Sequence, residues 1–385
     1  MLLNADLHIH SPYAMATSRS MTPESLLAAA GQKGLDVLGS GDALHPAWRA
    51  AWRDRPEDGS GIVVVPTAEV EDRHRVHHLI LAESFEQFAE LADVFAPHSR
   101  NIAAAGRPHV ALEGVAIASA VHDIGGLIGP AHAFTPWTSL YAKFESPAEC
   151  YGGERIDFLE LGLSADTSYA AGIPDLAGIP FLSNSDAHSP APVRLGREFT
   201  RLDAGAAGVR DVLDAVAGGR IAMNAGFFPE EGKYNRTACI HCYRHYSRSE
   251  AEALGWRCSE DGKRIKKGVA DRAGELAAAP AEPRPPYLHI IPLGEIIARV
   301  LGTASPATRR CGTLYAELLA EFGDEISILI AAPTEDIRAV HPGVGDAVED
   351  LRNGRITLHP GGGGRYGWFS FDGNTGNARC SESGT

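Results

Sequence analysis

Asp6-Leu7-His8-Ile9-His10 sets two imidazoles two residues apart. On an extended chain such residues point to the same face, so the pair can share a metal ion. One pair is weak evidence, but the pattern recurs further along. Val37-Leu-Gly-Ser, Ile62-Val-Val-Val, Val76 to Leu81, Leu127-Ile-Gly-Pro, Phe158-Leu-Glu-Leu and Phe181-Leu-Ser-Asn read as short strands. At or just beyond their C-terminal ends come Asp42 with His45, Glu69, His77, His132, Glu160 and the pair Asp186-Ala-His188. A β/α barrel collects its active site at that end of its strands. Helix-like segments lie between several strands. Thr22-Pro-Glu-Ser-Leu-Leu-Ala-Ala-Ala-Gly, for example, opens with an N-cap Thr and a Pro at the first helical position. His78 is an internal control: it adjoins His77 on one strand and must face the other way, so only one of the two is expected to bind metal. His74, His98, His109, His122, His289, His341 and His359 lack this strand-end context and read as structural or exposed.

The totals narrow the choices. A chain of 385 residues exceeds most single cores, which predicts one domain of roughly 200 to 250 residues and a smaller part. No apolar run is long enough for a membrane span, and Met1-Leu-Leu-Asn-Ala-Asp lacks the regions of a signal peptide, so a cytoplasmic protein without membrane association is expected. The net charge of −14 argues against a generally basic nucleic-acid coat but allows a local basic groove. Sixteen histidines carry more information, because imidazole is the commonest metal ligand.

Residues 1–228 are expected to form the metal-dependent domain. Residues 229–276 read as a small basic module, 277–372 as a mainly helical region entered through the proline-rich Ala277 to Pro286, and 373–385 as a flexible tail. Leu293 to Leu301, Thr313 to Phe322 and Glu335 to Leu351 read as helices, and the chain from Pro360, with Gly361 to Gly364, as loop. In the module, Cys239-Ile-His-Cys242 is followed by Cys258-Ser-Glu-Asp261, which is zinc-ribbon spacing with Asp in the fourth place. Three readings stay open: a Cys239, Cys242, Cys258, Asp261 zinc site, a site completed by His241 or His245, or a ribbon without metal. Basic residues gather around it, and Lys233, Arg236, Lys263, Lys266 and Lys267 are candidates for phosphate contacts.

His8-Ile-His10 and Ser185-Asp-Ala-His188 resemble the motifs of the polymerase-and-histidinol-phosphatase (PHP) superfamily. The resemblance implies a distorted seven-stranded (β/α)7 barrel holding two or three divalent ions (Zn, Mn or Mg). His8, His10, Glu69, His77, His132, Asp186 and His188 match as ligands, with Asp42, His45 or both after the second strand and Glu160 in addition. Glu69 is the natural bridging carboxylate, and Glu69, Asp186 and His188 are the expected catalytic groups. Beyond the barrel, Ser183-Asn-Ser-Asp-Ala-His-Ser-Pro, Pro229-Glu-Glu-Gly-Lys-Tyr, Cys239-x2-Cys242, Trp256-Arg-Cys, Ile265-Lys-Lys-Gly-Val-Ala-Asp-Arg and Pro286-Tyr-Leu-His-Ile-Ile-Pro-Leu resemble the endonuclease Q family. This implies hydrolysis of DNA 5′ to a deaminated base (uracil, hypoxanthine or xanthine) or an abasic site, leaving 3′-hydroxyl and 5′-phosphate ends. Such an enzyme has to extrude the lesion and stack it on an aromatic, for which Phe134, Trp137 and Tyr169 are candidates. The alternatives are a PHP phosphatase for a small phosphomonoester and a non-catalytic DNA-binding protein.

Overall fold

Alternation of apolar and polar residues builds β1 (Leu2–Asp6), and Leu3, Ala5 and Leu7 all enter one core. The computed structural model describes residues 1–55 and 59–371. Its strands continue as β2 (Val37–Gly39), β3 (Val63–Val65), β4 (Thr67–Glu71), β5 (His77–Leu81), β6 (Leu127–Pro130), β7 (Leu159–Glu160), β8 (Phe181–Leu182), β9 (Phe199–Asp203) and β10 (Ile221–Gly226). They end with β11 (Ala238–Cys239), β12 (Ile265–Lys266), β13 (Tyr287–His289), β14 (Ile356–His359) and β15 (Trp368–Phe371). The six apolar runs expected as strands all contribute strand residues, whereas β4 and β9 to β15 were not among the expected strands.

The result is a mixed α/β fold. One sheet has the order β13-β10-β9-β1-β2-β3, a second has β4-β5-β6, and β7 pairs with β8. β1, β2 and β3 run parallel, with Ala5 opposite Val37 and Val37 opposite Val63. β9 is antiparallel to β1 and β10, and the β4-β5-β6 sheet is antiparallel throughout. The antiparallel pairs are a departure from simple βα units. Only Asp72 to Val76 separate β4 from β5, too short for a parallel crossover. No sheet among the described residues closes on itself. Hydrogen bonds nonetheless join neighbouring sheets, as from Ala43 N, beyond β2, to Thr67 O of β4, from Asp157 N, before β7, to Ile128 O of β6, and from Ala133 N, beyond β6, to Glu160 O of β7. A shared core of Leu7, Val37, Val65, Leu79, Leu127, Phe158, Leu182 and Leu202 lies inside.

The helix Pro23–Lys33 begins at Thr22, whose side chain accepts from Ser25 N, and ends at Gly34 with φ 89°, a left-handed turn suited to glycine. After β13 the chain folds into helices Leu293–Val300, Arg309–Phe322, Glu325–Ile330, Thr334–Val340 and Pro342–Arg352 around Ile296, Ile297, Leu314, Leu318, Ile328 and Val348. The single helix expected from Glu335 to Leu351 is two, because His341 precedes Pro342 and is driven into extended backbone. The loop expected from Pro360 is also corrected: β15 pairs back on β14, with Thr357 opposite Ser370, and Phe369 and Phe371 supply buried apolar surface to the helices. The tail expected at 373–385 lies outside the described residues. No helix among those described is long and apolar enough to cross a membrane.

Glu198, just before β9, is fully buried. One carboxylate oxygen accepts from Phe227 N, the other has no partner, and burial pushes its pKa up to about 8. The folded state therefore holds a proton that the unfolded chain releases near its ordinary value, so this group's contribution is full at low pH and is lost as pH rises through about 8. Glu198→Gln is expected to be more stable than the parent at pH 9 by on the order of a few kcal/mol and to lose that advantage by pH 5. Urea midpoints across this range check it, and a gap independent of pH would refute it.

Candidate metal centre

His8 and His10 follow β1 on one face, and Ile9 bridges to Ala187 in parallel fashion while His10 N donates to Ala187 O. The two histidine-bearing motifs are thereby stitched together. Glu69, on β4, stands opposite Leu79 of β5. His77 begins β5 and His132 follows β6. Asp42, His132 and Asp186 all have positive φ, 46°, 32° and 48°. Such backbone is costly for residues other than glycine and collects at functional sites. Gly162 allows one of these turns: a Cβ there would lie 2.5 Å from the Cβ of His132.

The imidazoles share one arrangement. His8 Nδ1 lies 3.0 and 2.9 Å from the two oxygens of Glu160, and His10 Nδ1 lies 3.0 Å from Asp42. His77 Nε2 is 3.3 Å from Glu71, and His132 Nδ1 is 3.1 Å from Thr135 Oγ1. Each outer nitrogen is thus engaged and each inner nitrogen turns to a common centre. There Glu69 Oε1 is 2.9 Å from both His77 Nδ1 and His132 Nε2. Glu69 Oε2 is 3.4 Å from His10 Nε2, and Asp186 Oδ1 is 3.1 Å from His10 Nε2 and 3.7 Å from His8 Nε2. Carboxylates behind imidazoles fix ring orientation and raise basicity, as they do behind metal-bound histidines.

Electrostatics fit a cation at this centre. Burial alone would depress the pKa of His8, but Glu160, Glu69 and Asp186 lift it to about 9. Burial likewise opposes protonation of His10, which Asp42 and Asp186 lift well above the ordinary range. Burial would raise Glu69 and Asp186, yet the surrounding imidazoles, with Arg107 at Glu69, hold both far below the usual carboxylate range. His8 Nε2, His10 Nε2 and Asp186 Oδ1 are buried without hydrogen-bond partners, which a divalent ion would relieve. Three groups can hold one: His8, His10 and Glu69; His10, Asp186 and His188; Glu69, His77 and His132.

Asp42 and Glu160 stand behind imidazoles, outside these three groups. His45 is further removed: its ring stacks on Tyr13 at 3.7 Å, and it precedes the helix Pro46–Arg53. His78, the control, turns away from His77 to Asp72 at 3.4 Å and Tyr151 Oη at 2.6 Å, beside Cys150. Sequence reasoning missed Asn184, which donates to Glu160 and accepts from Leu7 N. It also missed Asp6, which accepts from Ser185 N and Gly196 N. Arg107, whose Nη1 is 2.9 Å from Glu69 Oε2, was missed too. Asn184 stood in the quoted Ser183-Asn-Ser-Asp stretch. Arg107, in a Gly-Arg-Pro loop, carried no signal.

In the small module Cys242 Sγ is 3.5 Å from Cys258 Sγ, and Cys239 Sγ is 3.5 Å from Asp261. All four side chains converge within metal-binding reach. His241 donates to Asp261 from an exposed position instead. Lys233, Arg236 and Lys263 are exposed. Lys267 is tied to Glu275 at 2.6 Å, while Lys266 Nζ lies 3.9 Å over the Trp137 ring and donates to Pro136 O. Burial, then Arg264 and Lys143, draws the Lys266 ammonium down to about 8. Of the aromatic candidates, Phe134 is buried against Tyr141, Trp137 is half exposed, and Tyr169 Oη accepts from Asn235 of the module.

Residues 292–355 match the family model of the MJ0043 C-terminal domain. MJ0043 of Methanocaldococcus jannaschii is 42% identical over 248 residues, which is 62% of this chain and 31% of that protein, so the chain spans about a third of that relative. YqxK of Bacillus subtilis is 32% identical over 94% of this chain and 98% of its own length. Among solved structures, the lesion-specific endonuclease PfuEndoQ of Pyrococcus furiosus is 44% identical, with a TM-score of 0.92 and coverage of 96% of both chains. An endonuclease Q bound to a 27-mer duplex with an abasic lesion at its active site is 44% identical, with a TM-score of 0.91 and coverage of 96% and 97%. Identity at that level along almost the whole of both chains shows that this chain belongs to the endonuclease Q family.

Proposed function

We propose that the chain is a metal-dependent DNA-repair endonuclease that cuts the phosphodiester 5′ to a deaminated base (uracil, hypoxanthine or xanthine) or an abasic site. The observation that carries this reading is the set of four imidazoles whose inner nitrogens converge on Glu69 and Asp186. The likeness to an endonuclease Q that holds abasic-site duplex in its active site supports the substrate. Two or three divalent ions, Zn, Mn or Mg, would be held by His8, His10, Glu69, His77, His132, Asp186 and His188; when bound, such ions lower the pKa of water to about 7 and stabilise a leaving oxygen.

The chain's own residues do the rest. Glu160 and Asp42 hold His8 and His10 in one tautomer, with Nδ1–H donated outward. Glu69 joins the two halves of the cluster through its two oxygens. A water oxygen joins phosphorus, the P–O3′ bond breaks, and the proton released by the water balances the 3′-hydroxyl, leaving a 5′-phosphate. In this reading the strands around the shared core act as the (β/α)7 barrel over residues 1–228, residues 229–276 as a DNA-gripping module and residues 277–372 as a supporting domain. One structural zinc at Cys239, Cys242, Cys258 and Asp261 suits a module whose apolar core is as small as Cys239, Tyr246, Ala251, Cys258 and Ile265 with Trp256 packed against them. Exposed Arg236 and Lys263 suit phosphates, as does exposed Lys233, whose ammonium lies 5.8 and 5.4 Å from the Tyr234 and Tyr366 rings, and Trp137 and Tyr169 are the aromatics placed to meet an extruded base.

Duplex oligonucleotides carrying one uracil, hypoxanthine, xanthine or abasic site are expected to be nicked at the 5′ side of the lesion with Mn²⁺ or Mg²⁺ and left whole in EDTA. Hydrolysis of p-nitrophenyl phosphate with every duplex intact would replace this reading with a phosphomonoesterase, and binding without cleavage in all metals with a scaffold.

A further inference from the structure

We propose that Arg107 is a catalytic residue that donates to a non-bridging oxygen of the scissile phosphate as charge builds there during cleavage; the inference rests on the phosphodiesterase reading above. Among the members of the cluster, the side chains of His8, His10, Glu69 and His77 are at most 3% exposed, and that of His132 is 9%. Three others reach solvent: Arg107 at 27%, Asp186 at 29% and His188 at 33%. These three mark the mouth of the site, the edge at which a phosphate meets the cluster. Arg107 is the cation on that edge.

The guanidinium has five N–H groups. One bond, from Nη1 to Glu69 Oε2, is its protein contact among the described residues, which leaves Nε and Nη2 open. Glu69 meanwhile faces His8, His10, His77 and His132 as well as Arg107, more partners than its lone pairs serve. A carboxylate so contested can share Arg107, and an incoming phosphate offers the fork a second pair of acceptor oxygens. The loop is braced for this task. Gly106 N donates to Tyr13 O, and a Cβ on Gly106 would lie 2.2 Å from Asp42 Oδ2, so the backbone before Arg107 packs directly on the carboxylate that orients His10. A donor held in advance where charge develops acts on the transition state more than on binding.

Arg107→Met is expected to lower the single-turnover rate on lesion duplex by about 100- to 1,000-fold. Affinity for that duplex in EDTA should stay within about threefold and bound metal per chain should not change. Arg107→Lys, which keeps the charge and loses the fork, should fall between the two and serves if the Met variant does not fold. The specific readout is sulfur substitution at each non-bridging oxygen: the penalty for one diastereomer in the parent should shrink in Arg107→Met. Loss of metal with the rate, an unchanged rate, or a sulfur penalty equal in parent and variant would overturn the proposal. The same proteins assayed on bis(p-nitrophenyl) phosphate separate the two readings. A parent that hydrolyses this diester but no lesion duplex removes the lesion reading and leaves Arg107 to be judged on the diester, whereas a parent inactive on both removes the phosphodiesterase reading and Arg107 with it.

Discussion

Glu69→Gln is expected to slow cleavage about a thousandfold, equivalent to about 4 kcal/mol of transition-state stabilisation, while lesion-duplex affinity in EDTA stays within a few fold. The substitution keeps volume and removes the charge from the one carboxylate that lies within 3.9 Å of four imidazoles and 2.9 Å of a guanidinium. It should lower bound metal as well, because Glu69 belongs to two of the three groups able to hold an ion. The carboxylates behind the imidazoles give the scale. Asp42→Asn and Glu160→Gln leave every inner nitrogen in place but weaken its orientation, and are expected to cost about 10- to 100-fold in metal affinity or rate. Binding survives in each case if exposed Lys233, Arg236 and Lys263 carry the phosphate contacts. Metal analysis and single-turnover assays on the three variants decide the matter; a Glu69→Gln protein with the parent's rate would remove Glu69 from the centre.

What could be read in the chain beforehand follows from which signals are local. The period of two in an extended segment forces His8 and His10 to one face and His77 and His78 to opposite faces, so those residues were legible without coordinates. The first apolar strands were legible as well, as short apolar runs between helical segments. β4 was not, because Thr67-Ala-Glu-Val-Glu buries a carboxylate where a strand normally buries a hydrocarbon, and its meaning depends on partners at 77, 107 and 132. Asp42 and His45 had equal standing in sequence. They separate only in space, since the left-handed turn at Gly41 and Asp42 aims the carboxylate at His10 and starts a helix at Pro46 that carries His45 under Tyr13. Lys266 and Lys267 looked as available as Lys263, but an exposed ring distant in sequence and a carboxylate eight residues further on engage them. Composition counts charges; it does not pair them.

A second large effect lies far from the cluster. Lys33→Met is expected to destabilise the fold by about 3–5 kcal/mol, although position 33 closes an ordinary surface-type helix in the sequence. Lys33 and Glu325 are both fully buried and 2.8 Å apart. The same Glu325 oxygen accepts from Leu293 N at the start of the helical domain, and the other accepts from Tyr315 Oη. Lys33 also donates to Pro192 O, four residues beyond His188. Removing the ammonium leaves a buried carboxylate with two neutral donors, the unpaired charge that makes such deletions costly. Lys33→Met with Glu325→Gln removes the orphaned charge and should recover much of the loss, so the double-mutant cycle is expected to show coupling well above the roughly 1 kcal/mol ceiling of exposed pairs. Because Pro192 shares the ammonium, the single variant should also loosen the segment that follows Asp186 and His188, raising amide exchange there; the double variant should restore stability but not that protection, since neither replacement donates to Pro192 O. Urea unfolding and hydrogen exchange on the three proteins test both halves. A single variant as stable as the parent would mean that the pair contributes nothing to joining the helical domain to the sheet that carries the metal centre.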